Sequence, residues 1–145
     1  MKKKVKDILN KKESAVITIK NTDTVLDAIK KMNQHKIGAL LVLDKRDKLA
    51  GIITERDVLH ECGKSSQTID KTRVDEVMTK HLIIGIPNDE VQYLMGVMTI
   101  NKIRHLPIMD RENIVGIISI GDLVKSQLEE AEFQNRYLEQ YIQSG

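Results

Sequence analysis

"GIITERDVL" at residues 51–59 and "GIISIGDLV" at residues 116–124 are one pattern written twice: a glycine, two isoleucines, a hydroxyl residue, and an aspartate three places further on. Gly51 faces Gly116 at an offset of 65 residues, and Thr54 and Asp57 face Ser119 and Asp122. Upstream the match continues at an offset of 66, pairing Asp23 with Asp89, Val25 with Val91, Met32 with Met98, Ile37 with Ile103, Leu40 with Leu106 and Asp44 with Asp110. The chain is an internal duplication whose halves differ by one turn residue, so its fold is read as two copies of one unit. A shorter preface recurs as well, "VKDIL" at 5–9 against "VDEVM" at 74–78.

Each unit carries the same order of elements. "AVITI" (15–19) reads as a short strand, and the following segment places Val25, Leu26, Ala28, Ile29 and Met32 at helical spacing behind a polar start. "GALLVLD" (38–44) is an apolar run of strand length, "KRDK" is a polar turn, "LAGIIT" (49–54) is the return strand of a hairpin, and "ERDVLHEC" opens a second helix. The second half repeats this as "LIIGI" (82–86), a helix from 88, "RHLPIMD", "REN", "IVGIIS" and "IGDLVKSQL". A β-α-β-β-α unit leaves one sheet face uncovered, and two copies hide it by packing face to face. The expected fold is α/β: two such repeats packed sheet to sheet with pseudo-twofold symmetry, plus a C-terminal helix. The repeats are expected at 1–62, with the preface, and 74–128. A polar connector fills 63–73 and a helical extension 129–145, whose stripe of Val124, Leu128, Ala131, Leu138 and Ile142, interrupted by Asn135, asks for a partner.

Composition narrows the function. A net charge of +2 builds no strong field of one sign, and aromatics at 3% without tryptophan leave no stacking platform, so nucleic acid is not an expected partner. Lys2, Lys3, Lys4 and Lys6 read as a solvated, frayed terminus. Cys62 is the single cysteine, which excludes an intramolecular disulfide and fits a reducing cytoplasm. No apolar run approaches the ~20 residues of a membrane span. His60 and Cys62 alone are no metal site, and no nucleophile–base set, glycine-rich phosphate loop or metalloprotease spacing is visible, so no catalysis is expected.

The repeated hydroxyl and aspartate admit two readings. A hydroxyl followed three residues on by an acid has the form of a helix capping box, and Asp23 and Asp89 likewise stand where helix N-caps are expected. The other reading is a ligand cradle: the glycine permits close approach to the backbone, the hydroxyl donates to a phosphate or ribose oxygen, and the carboxylate accepts both ribose hydroxyls beside a helix N-terminus.

The two G-h-h-T/S-x-x-D segments (h, an apolar residue), "HKIGALLVLD", "KIRHLPIMD" and the paired prefaces resemble a tandem pair of CBS domains, a Bateman module, across nearly the whole chain. The resemblance implies that AMP, ADP, ATP, NAD(H) or S-adenosylmethionine binds in two clefts, each shared between the repeats. In one, Asp122 would take the ribose with Ser119 nearby. Thr18, Ile19, Ile37 and Ala39 would hold adenine, Arg104 and His105 would reach phosphate, and Gly121 would leave room for a bulkier tail. In the other, Asp57 would take ribose and Thr54 and Arg56 phosphate, with Ile83, Ile84, Ile103 and the backbone at Arg104 around the base. Asp23, Gly38 and Pro107 complete the expected set. The same resemblance implies a homodimer and an unidentified protein client. The alternatives are a ligand-free dimeric scaffold and a regulatory subunit of a separate enzyme or transporter.

Overall fold

The computed structural model describes residues 2–12, 15–65 and 68–144. In chain order the elements are α1 (Val5–Lys11), β1 (Thr18–Lys20), α2 (Val25–His35), β2 (Ala39–Leu43), β3 (Leu49–Thr54), α3 (Glu55–Ser65), α4 (Val74–Val77), α5 (Val91–Asn101), β4 (His105–Asp110), β5 (Asn113–Ser119) and α6 (Ile120–Ser144). β1 lies parallel to β2, which pairs antiparallel with β3; β4 and β5 form a second antiparallel hairpin.

The duplication is visible atom by atom. α2 buries Val25, Ala28 and Met32, and α5 buries Val91, Leu94 and Met98 at the matching positions. Each helix stops at a lysine in the left-handed conformation, Lys36 and Lys102. The hairpins shift register at matching places, between Val42 and Leu43 and between Ile108 and Met109. The one-residue difference between the halves falls in the hairpin turn, where Asp44 Oδ1 accepts from the amides of Arg46 and Lys48 in the longer copy.

The halves are not identical. "LIIGI" forms no strand; only Gly85 bridges in parallel to Ile108, through Gly85 N to Pro107 O and Met109 N to Gly85 O, both 2.9 Å. A β-carbon on Gly85 would lie 2.9 Å from Ile108 Cδ1 and 3.0 Å from Leu106 Cδ2, so this copy has no room for the side chain that Ile19 supplies in the other. In the first half the expected strand begins three residues late, at Thr18. The expected N-caps also move by one: Thr24 caps α2 with Asp27 in a complete capping box, while Asp23 and Asp89 close the preceding turns by accepting from the amides of Lys20 and Ile86. α3 runs to Ser65, into the expected connector, of which residues 66 and 67 lie outside the described residues.

The prefaces are exchanged between the halves. α1 buries Val5 and Ile8 in the core of the second half, with Leu94, Met98, Leu106, Ile118 and Leu123. α4 buries Val74 in the core of the first, with Ile19, Ala28, Leu40 and Ile53. The same backbone clasp recurs: Val5 N donates to Asp89 O and Val91 N to Lys3 O, as Val74 N donates to Asp23 O and Val25 N to Thr72 O. The lysine-rich start is therefore tied down rather than frayed: the backbone clasp and the burial of Val5 and Ile8, at roughly 1.5–3 kcal/mol each, oppose the entropy of ordering it. Between the sheets, Ala39, Leu41 and Ile52 of the first half meet Ile114 and Ile117 of the second, the sheet-to-sheet packing that closes the domain.

Candidate ligand-binding clefts

At each strand-to-helix junction the repeated sentence makes a reciprocal cap. Thr54 N donates to Asp57 Oδ2 (3.0 Å) and Asp57 N to Thr54 Oγ1 (3.2 Å); Ser119 N donates to Asp122 Oδ2 (2.9 Å) and Asp122 N to Ser119 Oγ (3.0 Å). Each helix start is also tied to the entry of its own hairpin, Glu55 N to Gly38 O and Ile120 N to Arg104 O. Capping thus holds both carboxylates at one oxygen and orients the other.

The glycine inside each return strand is approached by an apolar side chain. A β-carbon at Gly51 would meet Met78 Sδ at 2.7 Å and Thr79 O at 2.8 Å, and one at Gly116 would meet Leu9 Cδ2 at 2.7 Å. The preface of each half covers the glycine of the other.

Two clefts open beside the capped aspartates, of about 560 and 550 Å³. Both fall within the roughly 300–1,000 Å³ usual for small-molecule sites. The first sets Asp122 and Ser119 of the second half against Ile37, Gly38 and Ala39 of the first. The second sets Asp57 and Thr54 against Ile103, Arg104 and His105, which occupy the equivalent positions, with Arg56 on its wall. Gly38 and His105 border both.

Other expected residues stand elsewhere. Ile19 is 2% exposed inside the first core, and the residues that line the Asp122 cleft beside Ile37 are Ala15, Val16 and Ile17, in the extended segment ahead of β1. Thr18 lies in β1, half-buried, and borders neither cleft; Lys31 Nζ donates to its carbonyl. Ile83 and Ile84 are exposed and line neither cleft, since the strand that would have aimed them is reduced to the Gly85 bridge. Asp23 serves its turn, Pro107 is buried in β4 with its carbonyl bonded to Gly85, and Gly121 is exposed on the first turn of α6. Arg104 lines the Asp57 cleft alone.

Two charged residues at the clefts carry no mark in the repeat. Lys12 Nζ donates to Asp122 Oδ2 at 2.7 Å and to Ile117 O at 3.4 Å, so a cation from the end of α1 sits on the capping acid of the second half. Its counterpart on Asp57 is the weaker Thr79 Oγ1, at 3.4 Å from Oδ1. A lysine beyond a helix end looks like any solvated lysine in sequence, and only the preface exchange brings it there. Glu55 is the second: a β-carbon at Gly38 would lie 2.5 Å from Glu55 Oε1 and 3.3 Å from His105 Cε1, so the ends of these two side chains lie against Gly38 where the two clefts meet.

The charges differ accordingly. Burial is the largest influence on Asp122 and pushes its carboxyl up, but the hydrogen bonds from Lys12 and Ser119 together hold it below the ordinary value of 3.8. His105 is held below 6.5, chiefly by burial, against the opposing pull of Glu55 and Asp122. Lys102, Arg104 and Arg56 make the rim of the Asp57 cleft basic. Among the described residues no group of three or more histidine, cysteine, aspartate or glutamate side chains could hold a metal ion, and no helix is long and apolar enough to cross a membrane.

The model of the CBS domain matches residues 5–64 and 74–129. The chain belongs to the CBS-domain family. A mitochondrial CBS domain-containing protein of Arabidopsis thaliana, CBSX3, is 40% identical over 127 residues, covering 85% of this chain and 62% of the relative, so this CBS pair spans less than two thirds of that protein's length. The crystal structure of the CBS-domain containing protein ATU1752 from Agrobacterium tumefaciens superposes with a TM-score of 0.83 at 34% identity, over 88% of this chain and 95% of that one. A CBS pair of the protein MJ0100, solved in complex with 5′-methylthioadenosine and S-adenosylmethionine, is 27% identical with a TM-score of 0.76, covering 91% and 99% of the two chains. Residues 5–129 form a CBS-pair regulatory module.

Proposed function

We propose that this CBS pair is a non-catalytic cytoplasmic sensor that binds an adenosyl compound, AMP, ADP, ATP, NAD(H) or S-adenosylmethionine, in its two clefts and reports occupancy to a protein client. The observation that carries the reading is the matched pair of clefts, each setting a capped aspartate of one repeat against the strand entry of the other. In such a site one carboxylate oxygen holds the helix cap and the other can accept from ribose hydroxyls, at Asp57 in place of the long contact from Thr79 Oγ1. Ile37, Gly38 and Ala39 offer an apolar wall and backbone groups to adenine in the Asp122 cleft; Ile103 and the backbone at Arg104 do so in the other. Lys12 and His105 in the first, and Arg56 and Arg104 in the second, supply positive charge or donors for a phosphate. A ligand that touches both repeats shifts their relative arrangement by its differential affinity for the two arrangements. The MJ0100 complex supports the class of ligand. A homodimer of the pair is part of the reading, and a reducing compartment suits the one half-buried thiol, Cys62.

A second reading rests on the caps themselves. Both boxes are complete without a ligand, which suits a scaffold whose aspartates only hold helices in place. Calorimetric titration of ligand-stripped protein with AMP, ATP, NADH and S-adenosylmethionine decides between them. Saturable binding by at least one, weakened roughly tenfold or more by Asp122→Asn or Asp57→Asn while the melting temperature moves by only a few degrees, is the expected result. Absence of binding by all four in a folded protein would sink the sensor and leave the scaffold.

A further inference from the structure

α6 is 25 residues long, about 37 Å at 1.5 Å per residue. Its first turns pack on the body, with Leu123 wholly buried and Ser126 4% exposed, while residues 131–142 are exposed throughout. Along this helix Val124, Leu128, Ala131, Asn135, Leu138 and Ile142 follow one another at steps of four, three, four, three and four residues. That is the a and d spacing of a heptad, with Leu128, Asn135 and Ile142 at a and Val124, Ala131 and Leu138 at d. Four of the six are large apolar side chains left uncovered: Val124 at 41%, Leu128 at 65%, Leu138 at 54% and Ile142 at 74% exposure. The stripe points about a third of a turn away from Leu123 and Ser126, so a helix laid along it clears the body.

We propose that α6 pairs through this stripe with α6 of a second copy of the chain, as a parallel, in-register, two-stranded coiled coil. Two features of the sequence commit the occupant and the direction. Asn135 stands at an a position, where a polar amide costs stability but finds a partner only opposite its own copy, selecting two strands and one register. In the parallel arrangement each g residue meets the e residue five places on in the other helix, which sets Gln127 beside Glu132 and Gln134 beside Glu139. An antiparallel pair would instead bring e residues together, Glu132 against Glu132 flanked by Lys125 against Glu139, and would set Asn135 in a layer with a d residue of the other helix. The aromatic side chains Phe133 and Tyr137 fall at f and c, outside it. The proposal goes beyond ligand sensing and does not depend on it.

Cysteine cross-linking on the full chain tests the register. In a Cys62→Ser background, Leu138→Cys places a thiol at d, where a parallel pair brings the two α-carbons within the roughly 4.4–6.8 Å of a disulfide. Gln140→Cys places one at f, facing away. Mild oxidation is expected to convert most of the Leu138→Cys protein into a linked dimer and to leave Gln140→Cys largely monomeric on a non-reducing gel. Asn135→Leu, in the otherwise native chain, is expected to raise the mass found by sedimentation equilibrium above that of a dimer or broaden it. Equal linkage at the two positions, no linkage at Leu138→Cys, or an unchanged uniform dimer for Asn135→Leu would each overturn the coiled coil, while leaving the calorimetric test of the clefts unaffected.

Discussion

Replacing Lys12 by methionine removes a charge and keeps the chain length, which isolates the contact that closes the Asp122 cleft. The ammonium lies 2.7 Å from the carboxylate, with side chains 35% and 22% exposed. A charge-assisted hydrogen bond is worth roughly 1.5–3 kcal/mol when buried and an exposed ion pair about 0.2–1 kcal/mol. With Lys12 one-third exposed the lower half of the combined range applies, so the coupling should be about 1 kcal/mol. Lys12→Met alone then lowers the melting temperature by about 3 °C for a domain of this size. The assay is a double-mutant cycle with Asp122→Asn, followed by urea unfolding of ligand-free protein at neutral pH and again in acid. The folded Asp122 is held below its ordinary 3.8, so its contribution is complete above that value and disappears as the pH falls through the folded value. The coupling must therefore be present at neutral pH and fade below pH 3.8. In Lys12→Met the strongest remaining influence is burial, so the carboxyl titrates higher than in the parent. A cycle that closes to zero at neutral pH, or a coupling unchanged in acid, would refute the placement of the preface on the opposite repeat's capping acid.

Three further outcomes follow from the packing. Ser126 Oγ is buried in α6 with no hydrogen-bond partner among the described residues. Ser126→Ala should therefore stabilise the protein by about 1 kcal/mol in a urea melt, through relief of the unmatched hydroxyl and better helix propensity. Gly51→Ala and Gly116→Ala separate backbone from side-chain crowding. The first sets a methyl 2.8 Å from Thr79 O and should cost about 2–3 kcal/mol, whereas the second meets only the movable end of Leu9 and should cost under about 1 kcal/mol; equal losses in chemical denaturation would contradict this. His105, held below 6.5 by burial, resists protonation in the fold, so the unfolded chain takes the proton first. Stability should decline as the pH drops below 6.5, and His105→Gln should flatten that part of the profile in a pH series of thermal melts.

Much of this architecture is legible in one dimension because it depends on local pattern. The buried strand β2, the hairpins, the helices carrying Met32 and Met98, and both hydroxyl–aspartate caps follow from apolar period and short-range hydrogen bonding. The clefts are legible in part: Ile37, Gly38, Ala39, Thr54, Asp57, Ile103, Ser119 and Asp122, singled out by the repeat, line them from strand ends and helix starts. Ile83 and Ile84 were readable as a strand only by analogy with the first copy; crowding by Leu94, Leu106 and Ile108 around Gly85 breaks that analogy.

The sequence by itself determined that there are two units, what each unit contains, and which acids cap the helices after their return strands, because repeats, periodicities and caps are interactions among near neighbours. Only the tertiary structure decided that α1 serves the second half and α4 the first. The choice is made by which core has room for Val5 and Ile8 or for Val74, a property of surfaces far apart in the chain. The same exchange carries Lys12 across 110 residues to Asp122 and Leu9 onto Gly116, so the character of the cleft was set by packing at long range.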